Sequence, residues 1–260
     1  MTCRLCLFVV TSALFGTAFA YDAEDKVIAV QGSMPVILTV PHDGTEALGW
    51  LSPRSKGVTV RDLGTQRLAE RTADQIEKQA GTRPYLVIAK FSRRYLDANR
   101  AEKDAMESAD ALPAYRAYHG HIARFIAEAS QRFPNGAVLI DVHGQGAEPD
   151  TIFRGTRNGL TVSSLIGRHG NAAIQGPDSI LGVLQGKGHH VFPKGESENL
   201  QEDKRFNGGY TVFSYGSNTT RGIDAIQIEF GRRSRDNPRM AEDLSDAILV
   251  FARKFLAAPK

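Results

Sequence analysis

The stretch "GAVLIDVHGQG", residues 136–146, is an apolar run that stops abruptly at an acid, a histidine and two glycines. Ala137 to Val142 has the length and β-branched content of a strand covered on both faces, as in the parallel sheet of an α/β protein. In open α/β sheets, ligands bind in the crevice beyond the carboxyl ends of the strands. His143 therefore stands where chemistry would stand, and residues with little to pack follow it.

Composition sets the frame for that strand. The chain has 260 residues, 42% hydrophobic and 23% charged, enough to bury the core of one sizeable domain. Its formal charge of +3 falls to +2 when Arg4 is set aside, too weak and too evenly spread for nucleic acid or an acidic membrane. A basic start at Met1 to Arg4, an apolar run from Leu5 to Gly16 and the small residues of "AFA" at 18–20 predict a signal peptide cleaved after Ala20. The apolar run falls short of the roughly 20 residues of a membrane span. A periplasmic or secreted protein without a membrane anchor is expected, with residues 21–260 as one catalytic domain and a monomeric chain. Both cysteines, Cys3 and Cys6, lie in the leader. A metal in the mature chain must then use His, Asp and Glu.

Along the mature chain, strands and helices alternate. "KVIAVQGSMPVILTVPHDG", residues 26–44, reads as a hairpin with Gln31 to Met34 as its turn and a second strand, Val36 to Val40, that runs into Pro41 and His42. A helix is predicted over Asp62 to Ala80, with Leu68, Thr72 and Ile76 on one face and Gly81 as its stop. A strand over Tyr85 to Ala89 leads into a long polar extension. Ala114 to Arg132 is the next helix, the strand Ala225 to Phe230 follows much later, and an amphipathic helix through Leu244, Ile248, Phe251 and Phe255 closes the chain. Between Gly144 and Gly222, only a helix over Pro177 to Leu184 stands out. The sum is a single α/β domain with a mixed, mostly parallel sheet flanked by helices.

The polar residues gather at strand ends: His42 after Val36 to Val40, then Arg93, Arg94, Asp97, Asn99 and Arg100 after Tyr85 to Ala89, His143 after Ala137 to Val142, and Glu229 after Ile226 to Ile228. A lone histidine at a strand end is more often a hydrogen-bonded loop residue than a ligand, but four coinciding ends change that weighing. Two histidines and one carboxylate with an open position for water form a hydrolytic zinc arrangement, beside which a separate glutamate shuttles protons. Glu229 shares a strand face with Gln227 by the two-residue period and is the candidate general base and acid. One of Arg93 or Arg94 is the candidate to stabilise a developing oxyanion. Arg100 can hold a carboxylate bidentately, with Asn99 adding a directional donor; a salt bridge to Asp97 or Glu102 is the plainer role for Arg100. Asp141, two residues before His143, could orient a ligand or partner an arginine equally well.

Taken in order, "PHDGT" (41–45), "FSRRYLDANR" (91–100), "LIDVHGQG" (139–146), "NGGYT" (207–211) and "IQIEF" (226–230) resemble the N-formylglutamate amidohydrolase family, from about Pro35 to Phe230. The resemblance implies a fold of the zinc carboxypeptidase and phosphorylase/hydrolase kind, bound zinc, and hydrolysis of an amide next to a carboxylate-bearing amino acid such as N-formylglutamate. It implies a carboxylate at the start of the helix after the first histidine as third ligand. Asp62 in "VRDLGT" stands there, with Glu46 as runner-up and Asp43 as a turn former or outer acceptor. Helix capping explains Asp62 as readily as a metal does. The related carboxypeptidases contact the substrate carboxylate through a matching Asn-Arg pair, which favours Asn99 and Arg100 as substrate-binding residues, together with Arg93. Degradation of formylglutamate belongs to the cytoplasm. The leader therefore widens the expectation to an exported amidohydrolase or peptidase acting on other acyl-amino acids or on short or cell-wall peptides.

The remaining candidates carry less. Tyr210 follows two glycines and could close over substrate. His119 and His121 lie on a helix whose apolar stripe already accounts for its packing, so surface exposure is expected, and His169, His189 and His190 sit in irregular sequence. There is no G-x-S-x-G elbow, no thiol in the mature chain and no Gly-rich phosphate loop after a strand. The contrasting class is a periplasmic protein that captures an anionic ligand with Arg93, Arg94 and Arg100 without turning it over. Such a protein has no need of His42, His143 and Glu229 together.

Overall fold

The computed structural model describes residues 22–49, 51–195 and 200–256; the expected leader, with both cysteines, lies outside them. The strands are β1 (Val27–Val30), β2 (Val36–Val40), β3 (Tyr85–Ala89), β4 (Val138–Gln145), β5 (Thr151–Gly155), β6 (His190–Phe192) and β7 (Asp224–Gly231). The helices are α1 (Thr65–Ala80), α2 (Glu102–Ala105), α3 (Leu112–Arg132), α4 (Ser163–His169), α5 (Ala172–Gln175), α6 (Ile180–Gly186), α7 (Tyr210–Tyr215), α8 (Arg232–Asp236) and α9 (Met240–Phe255). The strands form one mixed sheet in the order β1-β3-β2-β4-β7-β5-β6. The four central strands β3, β2, β4 and β7 are parallel, β1 and β5 run against their neighbours β3 and β7, and β6 runs parallel to β5. The single α/β domain with a mostly parallel sheet is thus as the sequence predicts.

The hairpin is not. β1 pairs with β3 rather than with β2, and β3 lies between them. Every residue of β2 is buried. Both edges of β2 are taken by parallel partners, β3 and β4, so its fully apolar sequence is satisfied at the centre of the sheet and β1 is displaced to the rim. The segment from Gly144 to Gly222 also holds more order than its sequence suggests, since β5, β6, α4, α5 and α7 all fall within it. β5 is short and carries Arg154 in its middle, and β6 is a three-residue edge strand stopped by Pro193, which conceals both from a periodicity search.

Two cores lie on opposite faces of the sheet. On one face Val36, Leu38 and Val40 of β2, Ile140 and Val142 of β4, and Ile226 and Ile228 of β7 pack under α1, α6 and α9. On the other, Ile37, Val87, Leu139 and Ala225 pack under α3, through Tyr118, Ile122 and Phe125, and under α7. The chain leaves β2 toward α1 on the first face and leaves β3 toward α3 on the second, which opens a crevice at the carboxyl ends of these strands. Among the described residues, no helix is long and apolar enough to cross a membrane.

Candidate active site

The strand register decides what meets in that crevice. In β4 and β7, Asp141 lies opposite Gln227 and His143 opposite Glu229. Partners across a sheet share a face, so His143 and Glu229 stand side by side about 4.8 Å apart along the sheet, on the α3 and α7 side. β4 runs on to Gln145, so His143 is held by the ladder and not by a loop, a firmer mount than a position at the strand's end. Thr39, opposite Asp141 in β2, donates its hydroxyl to Asp141 Oδ1 at 2.6 Å.

His42 follows β2 directly, and Asp62 arrives from the lead-in to α1, where its amide donates to the His42 carbonyl at 3.0 Å. The helix begins at Thr65, so Asp62 is not its first residue, and the capping role falls to Asp43. The Asp43 carboxylate accepts from the amides of Gly64 and Gln66, each at 2.9 Å, and from Arg61. That leaves the Asp62 carboxylate free to face the histidines. Asp62 Oδ2 lies 3.4 Å from His42 Nδ1 and 3.2 Å from His143 Nδ1. Gly44 completes the segment: a Cβ there would run into the main chain of Lys90 and Phe91, so only glycine lets β2's exit lie against β3's.

The outer nitrogens are held in a matching way. His42 Nε2 lies 2.7 Å from Asp97 Oδ1, and His143 Nε2 lies 2.7 Å from Asp141 Oδ2. Each carboxylate fixes its imidazole so that Nδ1 points inward. Asp141 therefore partners a histidine and not an arginine. Glu46 is engaged elsewhere, paired with Lys26 at 2.7 Å and Lys90 at 3.1 Å. His42, Asp62 and His143 form a buried group that could hold a metal, their ligand atoms all within 4.8 Å of one another. Ligand bonds of roughly 2.0–2.2 Å in a tetrahedral site put neighbouring ligand atoms roughly 3.3–3.5 Å apart, close to the 3.2 and 3.4 Å spacings to Asp62. His42 Nδ1 is buried and lacks a hydrogen-bond partner, as expected of an atom reserved for a ligand. The donor set fits a borderline metal such as zinc.

The electrostatics agree with a cationic occupant. Burial alone would raise the Asp62 and Asp97 carboxyls, but hydrogen bonds and charge from His143 and His42 hold Asp62 far below the usual carboxylate range, and His42 and Arg93 do the same for Asp97. Burial would lower His143, yet the charge and hydrogen bond of Asp141, with Asp62 behind them, hold it well above its ordinary value. The carboxylates that raise this imidazole would equally attract a divalent cation. Glu229 goes the other way: burial pushes its carboxyl up, His143 only partly opposing it. It accepts a hydrogen bond from Gln227 Nε2 at 3.1 Å, and among the described residues no arginine forms an ion pair with it.

His42, Asp62, His143 and Glu229 line one cavity of about 740 Å³. Six arginines line it too: Arg61, Arg93, Arg100, Arg205, Arg232 and Arg235. Arg93 reaches Asp97 Oδ2 at 3.1 Å and Asp62 Oδ1 at 3.6 Å. Arg100 is half exposed and only 3.7 Å from Asp97, so both its expected roles have a geometric basis. Asn99 is buried between His143 Nε2, 3.2 Å from its Nδ2, and the Thr211 amide, which donates to its Oδ1 at 2.7 Å.

Three expectations need correction. Arg94 is exposed and absent from the cavity wall, because the turn after β3 sends alternate side chains to opposite sides and Arg93 takes the inward one. Tyr210 starts α7 and packs away from the cavity, in ring contact with His119 at 5.9 Å; it is Gly208 and Gly209 that line the wall. His119 is not a surface residue either. It is enclosed by Tyr115, Tyr118, Tyr210 and Tyr215, and burial pushes its pKa down to about 4. Its Nε2 lies 3.0 Å from the Ala98 carbonyl, to which it donates, so its Nδ1 accepts from the Tyr215 hydroxyl at 3.0 Å. Tyr115, one turn earlier, donates to the Arg100 carbonyl at 2.9 Å. Helix α3 thus pins the loop that carries Asp97, Asn99 and Arg100. His189 pairs with Asp243 and His121 with Glu24, both outside the cavity wall.

Sequence reasoning missed Asp97 as the partner of His42, and it missed Arg235. The Arg235 guanidinium lies over Gly144 and donates to the Leu63 carbonyl at 3.0 Å through Nε. The signal for Asp97 was its place in a polar run after a buried strand. Arg235 had none, being one of three arginines in "GRRSRD".

The fold thus brings a His–Asp–His group that could hold a metal and a partly buried glutamate together at the carboxyl ends of its central strands. Residues 109–234 match the family model for N-formylglutamate amidohydrolase, so the resemblance seen in the motifs stands. The fold is similar to the crystal structure of N-formylglutamate amidohydrolase from Ralstonia eutropha JMP134, with a TM-score of 0.58 and 16% identity over 88% of this chain and 96% of that one. It is similar as well to a gene product of Agrobacterium tumefaciens, with a TM-score of 0.57 and 16% identity over 92% of this chain and 96% of that one. No curated protein matches the chain.

Proposed function

We propose that this protein is a zinc-dependent amidohydrolase that cleaves an amide next to a carboxylate-bearing amino acid. The observation that carries the reading is the pair of buried imidazoles whose Nδ1 atoms converge on Asp62 while their Nε2 atoms are held by Asp97 and Asp141, with Glu229 adjacent in the same cavity. His42, Asp62 and His143 would hold the zinc, which when bound polarises the amide carbonyl and makes water acidic. Glu229 takes the proton from the attacking water and returns it to the departing amine nitrogen. Arg93 holds the charge that develops on the carbonyl oxygen, and Asn99 and Arg100 bind the substrate's free carboxylate. A cavity wall rich in guanidinium groups supports a small anionic substrate and raises its local concentration. The basic-then-apolar order of residues 1–20 supports action in the periplasm or outside the cell.

The test is elemental analysis of purified protein followed by hydrolysis assays on N-acyl amino acids and their methyl esters. About one zinc per chain is expected, together with turnover that requires the free carboxylate. Equal turnover of the acid and its ester would remove Asn99 and Arg100 from their role. A protein that retains stoichiometric zinc after His143→Ala would undo the ligand set.

A further inference from the structure

The loop from Arg54 to Leu63 presents three branched apolar side chains at the mouth of the cavity. Val58, Val60 and Leu63 are 51%, 73% and 60% exposed, and all three line the cavity wall. Single exposed aliphatic residues are ordinary, but three within six positions at one opening form a patch that calls for an occupant.

The loop is also fixed in place. At one end the Arg54 amide donates to the Arg94 carbonyl at 2.7 Å and the buried guanidinium to the Arg93 carbonyl at 2.9 Å, while Glu107 accepts from the Ser55 and Lys56 amides at 2.8 and 3.0 Å. At the other, Arg61 is clamped to Asp43 and Arg235 donates to the Leu63 carbonyl. The apolar side chains are therefore held toward the cavity before anything binds, which is what a specificity pocket requires.

Size points the same way. A cavity of about 740 Å³ lies in the upper part of the range of roughly 300–1,000 Å³ that encloses drug-sized ligands. A formyl group is one carbon and one oxygen, and has nothing to lay against three aliphatic side chains. The position of the patch matters too. Leu63 follows Asp62, which meets the His143 ring at Nδ1, whereas Asn99 meets the same ring at Nε2, so the two segments approach that imidazole from opposite sides within one cavity. An amide whose carboxylate end lies at Asn99 and Arg100 places its acyl end toward Val60 and Leu63.

Resting on the amidohydrolase reading above, we infer that Val58, Val60 and Leu63 form the acyl subsite, and that the substrates are amino acids N-acylated by a branched or extended apolar group, including an apolar aminoacyl residue, in preference to N-formyl amino acids.

The experiment uses the zinc-loaded protein and a series of glutamates acylated with formyl, acetyl, isovaleryl, octanoyl and leucyl groups. Two quantities are read: kcat/KM for the wild type, and Kd by calorimetry for Glu229→Gln, whose slowed turnover leaves the ligands intact during the titration. From formyl to isovaleryl or octanoyl, kcat/KM is expected to rise at least tenfold and Kd to fall by a similar factor. In Val60→Ser and Leu63→Ser the ratio of apolar-acyl to formyl kcat/KM should drop by about tenfold, the scale on which an apolar pocket discriminates between acyl groups of different size. Both positions are exposed, and unchanged melting temperatures would show that folding is untouched. A formyl conjugate that binds and reacts as well as the apolar ones overturns the subsite while leaving the hydrolase intact. Tight, Val60-dependent binding of apolar conjugates without turnover of any of them overturns the hydrolase and leaves the subsite. A selectivity ratio unmoved in both serine variants overturns the assignment of these residues.

Discussion

The same three central strands, β2, β4 and β7, present two faces of opposite character. Toward α1 and α9 they show Val36, Leu38 and Val40, then Val138, Ile140 and Val142, then Ile226 and Ile228, apolar to the strand ends. Toward α3 and α7 they begin apolar with Ile37, Leu139 and Ala225, turn polar with Thr39, Asp141 and Gln227, and end with His143 and Glu229. One face is occupied with stability along its whole length. The other changes occupation halfway, and can do so because its polar side chains meet partners: Thr39 with Asp141, Asp141 with His143, Gln227 with Glu229 and the Gly209 amide. Burying a polar group is tolerable when it is hydrogen-bonded and costly when it is not.

If the division holds, substitutions on the two faces should separate cleanly. The largest effect is expected from Glu229→Gln on the polar face. Turnover should fall by roughly a hundredfold to ten-thousandfold, the contribution of a general acid and base, with zinc content and melting temperature nearly unchanged. Loss of zinc in this variant would make Glu229 a ligand. On the apolar face, Ile140→Ala should destabilise the protein by about 2–5 kcal/mol in denaturant unfolding through reduced burial and a cavity, yet leave kcat per folded molecule close to that of the wild type. A variant that instead lost activity while fully folded would show that the faces are coupled.

A third effect tests the buttress on the polar side. His119 is held neutral, its pKa pushed down by burial from 6.5 to about 4. Between those values the unfolded chain binds a proton that the folded one refuses, so stability rises with pH across that window and is lost as pH falls from about 6.5 to about 4. The full loss is about 3 kcal/mol, from a shift of this size at about 1.4 kcal/mol per unit. His119→Gln keeps a donor for the Ala98 carbonyl without the titration, and should flatten the stability profile in that window alone. An unchanged slope would place the acid sensitivity elsewhere. The smallest effect is expected from Asp141→Asn, which keeps the shape beside His143 but weakens the acceptor for its Nε2. Zinc affinity measured by competition with a chelator should drop about 10- to 100-fold, the usual consequence of removing an outer partner of a ligating histidine.

Much of this was legible in the residues, and what was not has physical causes. Strands with two covered faces announce themselves by unbroken apolar runs, so β2, β3, β4 and β7 were readable within a few residues. Pairing was not readable. Nothing in residues 26–44 says that β3 will come between β1 and β2, because that choice is made by competition among distant strands for the edges of the most apolar one. In the site, residues on strands could be placed by the period of two, as Glu229 and His143 were. Those on turns could not: Arg93 and Arg94 are adjacent, and only the turn's geometry sends one inward. His119 was misjudged because a helical stripe shows which face is buried and gives no hint that α7 will cover the helix's flank.

The segment Pro41 to Gly44 carries three unrelated demands in consecutive positions. His42 turns its Nδ1 to the group that could hold a metal, Asp43 fastens the first turn of α1, and Gly44 lets the exit of β2 lie against the main chain of Lys90 and Phe91 just after β3. A change at any one of them is felt by the other two, since four residues leave no slack to absorb a shift. Gly44→Ala touches neither imidazole nor helix, yet it would push both from their places at once. Such a segment cannot be improved piecemeal: a variant that repairs one of its tasks disturbs another, and the four residues must persist or change as a unit.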